Sequence, residues 1–297
     1  MNTGLTTGSG IHLPPIIYGT AWKKERTAAL VEQALTLGFR GIDTAGQPKH
    51  YDEAGVGLGL AQAMKSGLLR KDIYLQTKFT PVGGQDPQRI PYDPKVSLSR
   101  QVEQSFAQSL QNLRTDYLDG LILHSPLPKR EDLLEVWTAM EAIVDASGAK
   151  LLGISNCYEP ERLEDLYCSV RIKPAVVQNR FYAQTGYDRE IRHFCRRNGI
   201  IYQSFWTLTA NPDILAHPTV KELSKKYQGT PAQIFYRYLT QVGILPLIGT
   251  TSSTHMREDL EIFAFELLEE ECASVGRLME DFPLGCPRML NDNSPPR

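Results

Sequence analysis

The sequence predicts an α/β fold, a single (β/α)8 TIM barrel with an N-terminal β-hairpin and C-terminal helices and tail. Three observations lead there. Short runs rich in β-branched and aliphatic residues alternate with longer stretches of helical periodicity. The runs are apolar along their length, as strands of a parallel sheet covered by helices are. They number eight, the count at which such a sheet closes into a barrel filled by its own side chains. The 297 residues fit one barrel domain over 1–297, and neither a linker nor an internal repeat divides them. A doubly wound open sheet is the alternative. It wants a glycine-rich fingerprint after the first strand, where Tyr18-Gly19-Thr20-Ala21-Trp22 stands instead.

In chain order, residues 5–13 carry Thr7-Gly8-Ser9-Gly10 between apolar residues, the pattern of a hairpin. The first barrel strand is expected at 15–19 and a helix at 25–37, with Leu30, Val31, Ala34 and Leu35 on one face and Gly38 as its stop. Strand two (40–44) leads into a helix at 51–66, and strand three (73–79) precedes a helix at 95–113. Strand four (117–124) is followed by a helix at 131–146, whose Trp137 and Met140 fall at core spacing. Strands five (150–155), six (175–179) and seven (200–205) come next, with helices near 159–168 and 188–197. Helices near 219–227 and 231–241 follow, the second with Thr230 as N-cap and Pro231 in its first turn. Strand eight (244–248) and helices within 255–280 complete the set. The proline-rich stretch 80–94 and the tail 285–297 read as long loops.

Composition narrows the function. Lys plus Arg is 32 against 34 for Asp plus Glu, a formal net charge of −2. That removes the basic footprint of a nucleic-acid binder. Clusters such as Lys23-Lys24-Glu25-Arg26 mix signs and read as solvated helix faces. Five scattered cysteines form no C-x-x-C pair, which fits a reducing compartment better than a disulfide or zinc framework. No apolar run approaches a membrane span, and residues 1–10 have no apolar signal core. The expected setting is cytoplasmic, with neither membrane nor nucleic acid as partner.

A barrel carries its chemistry at the C-terminal ends of its strands. Strand two ends on Asp43, strand three runs through Lys78, and strand four ends on His124. Singly these read as a helix cap, a surface charge and a core histidine. Together they imply pairing, because desolvating three ionisable groups in one place is costly otherwise. Tyr51 is the nearest tyrosine after Asp43, and a cation beside a phenol lowers its pKa. The set Asp43, Tyr51, Lys78 and His124 suits proton donation to a carbonyl oxygen. A metal-dependent hydrolase using Asp43, His50 and His124 is a competing reading that lacks further ligands. His50 reads as an exposed turn histidine, with a second proton carrier as the alternative.

These residues and their surroundings resemble the aldo-keto reductases over nearly the whole chain. The matching segments are Gly38-Phe39-Arg40-Gly41-Ile42-Asp43-Thr44-Ala45, the stretch 53–57 after Tyr51, Thr77-Lys78, Leu123-His124-Ser125-Pro126, Gly153-Ile154-Ser155-Asn156 and Val177-Gln178-Asn179. The resemblance implies a barrel that binds NADPH, with NADH possible, and reduces a small-molecule aldehyde or ketone. It implies Tyr51 as general acid, aided by Lys78 and Asp43, with His124 orienting the carbonyl. Ser155, Asn156 and Gln178 would hold the nicotinamide carboxamide, and Ser204 would lie beside the ring with Phe205 or Trp206 as its aromatic partner, packing being the alternative for both. Gly249, Thr250, Thr251, His255 and Asp259 would take the phosphate and adenosine end, where the family's usual Pro-Lys-Ser is absent and His255 and Arg257 are the basic residues left. Trp22 and Ser125 would flank the substrate, with 80–94 and 285–297 completing the pocket. The protein is expected to be a monomer or weak homo-oligomer. A non-catalytic nicotinamide-binding sensor on the same fold is the alternative.

Overall fold

The structure, a computed structural model, describes residues 4–280. The hairpin is β1 (Leu5–Thr6) and β2 (His12–Leu13), paired antiparallel. The barrel strands are β3 (Ile17–Gly19), β4 (Gly41–Asp43), β5 (Tyr74–Phe79), β6 (Leu118–Leu123), β7 (Ala149–Ser155), β8 (Val176–Arg180), β9 (Ile201–Phe205) and β10 (Ile244–Ile248). They are parallel and close in the order β10-β3-β4-β5-β6-β7-β8-β9. The helices are α1 (Thr27–Leu37), α2 (Glu53–Lys65), α3 (Leu98–Leu113), α4 (Arg130–Asp145), α5 (Pro160–Ser169) and α6 (Arg189–Arg197). Then come α7 (Pro212–Ala216), α8 (Pro218–Lys226), α9 (Pro231–Gln241), α10 (Ser253–Glu261) and α11 (Glu269–Leu278). The expected tail 285–297 lies outside the described residues.

The strands' period of two sorts their side chains between lumen and helices. Ile17, Tyr74, Leu151, Ile201 and Leu245 belong to one buried cluster that fills the lumen, and Leu13 of the hairpin packs into it. Ile42, Leu75, Leu123, Ile154 and Tyr202 belong to the larger cluster under the helices, together with the fully buried Trp137 and Met140. Above the apolar lumen layer come polar side chains: Gln76, Gln178 and Gln203, then Asp43 and Lys78, all buried. The hairpin end is therefore dry, and the opposite end carries the polar groups.

Local sequence explains the places where elements begin. Asp52 caps α2 by accepting from the Gly55 N–H at 2.9 Å, so Tyr51 sits in the turn before the helix, not within it. Ser97 caps α3, which starts at Leu98 and leaves 95–97 outside. Pro212 and Pro218 each open a helix, so a short α7 precedes α8 where one helix was expected. In α2, a Cβ at Gly57 would lie 2.1 Å from the Asn112 carbonyl oxygen, and one at Gly59 would lie 2.6 Å from that of Ala28. Those glycines let α2 press between α1 and α3, which fixes the turn that carries Tyr51.

Candidate active site

The centre of the mouth is a buried ion pair. The Lys78 ammonium reaches both Asp43 oxygens at 2.7 Å and the Thr44 carbonyl at 2.9 Å. Those acceptors engage all three of its N–H donors. Asp43 Oδ1 also accepts from Gln76 Nε2 at 2.7 Å and Gln178 Nε2 at 3.0 Å. Gln203 ties Gln76 to Gln178 through its Oε1, at 2.8 and 2.9 Å. The pair thus has the extra hydrogen bonds that a buried pair needs to survive desolvation. Burial pulls the Lys78 amine below its usual value, and the Asp43 charge opposes that pull.

Tyr51 and His124 lie over this pair. Their rings meet edge to face with centroids 6.0 Å apart, and Lys78 Nζ is 5.2 Å from the centre of the Tyr51 ring. The structure corrects the expected acidification of the phenol. Burial first, and the Asp43 charge second, push the Tyr51 hydroxyl well above its ordinary pKa. The reason is geometric: the ammonium spends its donors on Asp43 and Thr44, so desolvation governs the phenol. His124 is held well below the usual histidine value by burial and by the Lys78 and His50 charges, so its ring is neutral. Its Nδ1 is 2.7 Å from Thr80 Oγ1. Behind Tyr51, the buried Glu53 accepts from Thr77, Ser109 and Asn112 at 2.6, 3.0 and 3.3 Å, anchoring α2 to β5 and α3.

The ends of β7, β8 and β9 form the next edge. Ser155 Oγ donates to the Gln178 carbonyl at 2.7 Å, and Asn156 Nδ2 donates to the His124 carbonyl at 2.9 Å. Gln178 faces the lumen and bonds Asp43 as above. Phe205 is half-buried and packs against the lumen cluster. Ser204, one residue earlier, is on the other face of β9 and fully buried, and its Oγ accepts from Thr207 Oγ1 at 3.0 Å. That placement removes Ser204 from the mouth, since one step along a strand changes the face.

A second edge lies where β10 ends beside β3. Gly249, Thr250 and Thr251 are half-buried there, followed by Ser252, which caps α10 by accepting from the His255 N–H. The Thr250 carbonyl accepts from Tyr18 at 2.9 Å, and His255 is exposed, its Nδ1 3.4 Å from Thr250 Oγ1. Asp259 is buried on α10, and burial with the Glu258 charge pushes its carboxyl up to about 8. The sequence reading missed Lys23. Its side chain turns inward, only 5% of the residue is exposed, and its ammonium donates to the Gly249 carbonyl. Burial and the Arg26 charge bring its pKa down to about 8.

Trp22 and Ser125 occupy the rim, Trp22 exposed and Ser125 half-buried. Trp22 packs against His50 with centroids 4.0 Å apart and the rings tilted by 40°. The expected exposed turn histidine is therefore half-buried, and its Nδ1 is enclosed without a hydrogen-bond partner. The segment 80–94 runs beside the rim and is fastened by Tyr92, which donates to the Thr80 carbonyl at 2.7 Å. Among the described residues, no set of three or more His, Cys, Asp or Glu gathers as a metal site. The Asp43 carboxylate is taken by Lys78, against the hydrolase reading. No helix among those residues is long and apolar enough to cross a membrane.

Comparison with known proteins agrees with this architecture. An oxidoreductase of Bacillus subtilis, YtbE, is 28% identical over 283 residues, covering 94% of each chain. An aldo-keto reductase of Mycobacterium sp. strain KMS is 30% identical over 261 residues, covering 88% of this chain and 87% of its own. A 9,11-endoperoxide prostaglandin H2 reductase of Trypanosoma cruzi is 28% identical, with 95% and 93% covered. Among solved structures, an aldo/keto reductase from Brucella melitensis superposes with a TM-score of 0.81 at 25% identity, covering 94% of this chain and all of its own. One from Bombyx mori, solved in complex with NADP, gives 0.80 at 24% identity, with 93% and 92% covered. The profile of the Aldo/keto reductase family matches residues 15–280, and the chain belongs to that family of oxidoreductases.

Proposed function

We propose that the protein reduces a small-molecule aldehyde or ketone to the alcohol with NADPH, NADH being the alternative coenzyme, and that Tyr51 supplies the proton. One observation carries the reading: a neutral phenol and a neutral imidazole meet over a buried Lys78–Asp43 pair. When bound, the nicotinamide supplies hydride to the carbonyl carbon. The rest is the work of the side chains. Tyr51 keeps its proton across the working pH range, because its pKa is raised. It gives that proton up only where negative charge builds on the carbonyl oxygen. The Lys78 ammonium, 5.2 Å from the ring, offsets the Asp43 charge that opposes the phenolate left behind. Asp43 keeps that ammonium charged in spite of its burial. A neutral His124 that accepts the Thr80 hydroxyl proton at Nδ1 would carry its own proton on Nε2, which then points the carbonyl oxygen toward Tyr51.

The second edge fits a dinucleotide. Lys23 is a buried cation bonded to a carbonyl oxygen, a pairing that leaves its charge uncompensated, and an anion answers it. Gly249 brings no side chain to the approach, and the capped N-terminus of α10 follows with Thr250, Thr251 and His255 beside it. Lys23 and this strap would hold the diphosphate, Asp259 the adenosine end, and Ser155, Asn156, Gln178 and Phe205 the nicotinamide. A panel of aldehydes and ketones given with NADPH or NADH tests the reading through loss of the reduced coenzyme's near-ultraviolet absorbance. Tight coenzyme binding with no turnover on any carbonyl would instead favour a non-catalytic sensor.

A further inference from the structure

β7 ends at Ser155, and the next residue, Asn156, has φ 53°. Asparagine enters that left-handed conformation more readily than other side-chain-bearing residues, and its surroundings hold it there. What imposes it here lies on the outer face of β8. Asn179 is fully buried, and its amide takes both backbone groups of Cys157. Oδ1 accepts the Cys157 N–H at 3.0 Å, and Nδ2 donates to the Cys157 carbonyl at 2.6 Å. The last register pair of β7 and β8 is Ser155 with Gln178, and Asn156 N–H still donates to the Gln178 carbonyl at 3.1 Å. The Asn179 amide carries the ladder beyond that point, a side chain standing in for a strand.

The Cys157 N–H and carbonyl set which way the amide is turned, and Asp188 fastens it in that orientation. Its Oδ2 accepts from Asn179 Nδ2 at 2.7 Å and from the Tyr202 hydroxyl at 2.9 Å. A carboxylate accepts only, so the nitrogen of Asn179 must face it. Asp188 is itself held at φ 51°, after Tyr187 at 55°, so this buried contact is maintained against backbone strain. On the far side, Asn156 reaches the mouth: Nδ2 donates to the His124 carbonyl at 2.9 Å, and Oδ1 accepts from Tyr158 at 3.2 Å.

We propose that Asn179 and Asp188 are positioning residues that lock Asn156 in its left-handed conformation and so set the carboxamide edge of the coenzyme site. They act through the Asn156–Cys157 backbone. The proposal rests on reading Asn156 as a coenzyme contact. The test measures NADPH affinity by tryptophan fluorescence without substrate, with melting temperature and the pH profile of kcat alongside. Asn156→Ala and Asn179→Ala should each weaken NADPH about tenfold, the order of one lost charge-free hydrogen bond, with the pH profile unmoved. Asn179→Asp sets two carboxylates face to face and should be worse. Adding Asp188→Asn to it removes that repulsion, but a carboxylate at 179 still cannot donate to the Cys157 carbonyl, so the affinity should recover only in part.

A merely structural role would lower the melting temperature and leave affinity alone. Unchanged affinity in folded Asn179→Ala, with Asn156→Ala impaired, overturns the positioning role only. Unchanged affinity in Asn156→Ala overturns the contact and the positioning role with it. Should Asn179→Ala not fold, Asn179→Asp decides: it keeps the side chain's shape but cannot donate to the Cys157 carbonyl, and unchanged NADPH affinity there overturns the proposal.

Discussion

The two edges of the mouth handle buried charge in opposite ways. At the Asp43–Lys78 edge, every ammonium donor has an acceptor and the carboxylate also accepts from two glutamines. At the Gly249–Asp259 edge, a lysine is buried against a carbonyl oxygen and a carboxyl is buried with its pKa pushed up to about 8. The first edge is complete as folded, so it can present fixed electrostatics to a reaction without reorganising. The second leaves a buried ammonium facing a carbonyl oxygen alone, and on the proposed function the coenzyme's diphosphate is its counter-charge. On the proposed function, the contrast teaches that the proton-donating edge is built into the fold, whereas the edge proposed for the coenzyme is held at some cost to stability.

Three substitutions would break or sharpen that contrast. The largest effect belongs to Lys78→Met, which strands Asp43 as an unpaired buried carboxylate. It should cost about 3–5 kcal/mol in denaturant unfolding and abolish turnover. A small loss would mean the first edge is not self-compensated. Asp259→Asn should do the reverse and stabilise. The folded state keeps the Asp259 proton up to about pH 8, whereas the unfolded chain releases it near 3.8. The unfolded state therefore binds fewer protons between those values, and stability falls as pH rises through that window. Removing the carboxylate should add about 5 kcal/mol at pH 8 and nothing near pH 4, read as melting temperature. A destabilised variant would show that Asp259 is satisfied after all.

Lys23→Met should weaken NADPH about tenfold at neutral pH. The Lys23 pKa of about 8 adds a signature. The charged form is the one that meets the diphosphate, so the native Kd should rise as pH climbs above about 8 and the ammonium is lost. In Lys23→Met that Lys23-dependent rise should vanish. A titration series in which the variant keeps the native pH dependence would remove Lys23 from the strap.

The self-compensated edge was the legible one. Asp43, Lys78 and His124 end apolar strands, and a polar residue at the C-terminal end of a barrel strand stands out against its run. Gln76 and Gln203 stand among the polar residues at the strand ends, but the sequence alone does not give their partners; each sits two residues from a site position, Lys78 and Phe205, and the period of two puts them on the same face. The same period misplaces Ser204 once the face of β9 is taken one step off. Lys23 was hidden by its neighbours: Lys23-Lys24-Glu25-Arg26 reads as a solvated face, yet only the last three are exposed. The phenol's pKa was also read in the wrong direction, because a sequence shows which charges are near and not where an ammonium's donors point. Helix starts at Asp52, Ser97 and Pro212 were decided by caps and prolines a few residues from the expected positions.

The most direct test of Tyr51 as proton donor compares two quantities in one preparation of Tyr51→Phe. One is the single-turnover rate of carbonyl reduction, and the other is NADPH affinity by fluorescence titration. Loss of the acid alone predicts a rate lowered by about a thousandfold or more with affinity unchanged. A variant that still reduces carbonyls at near the native rate would contradict the assignment.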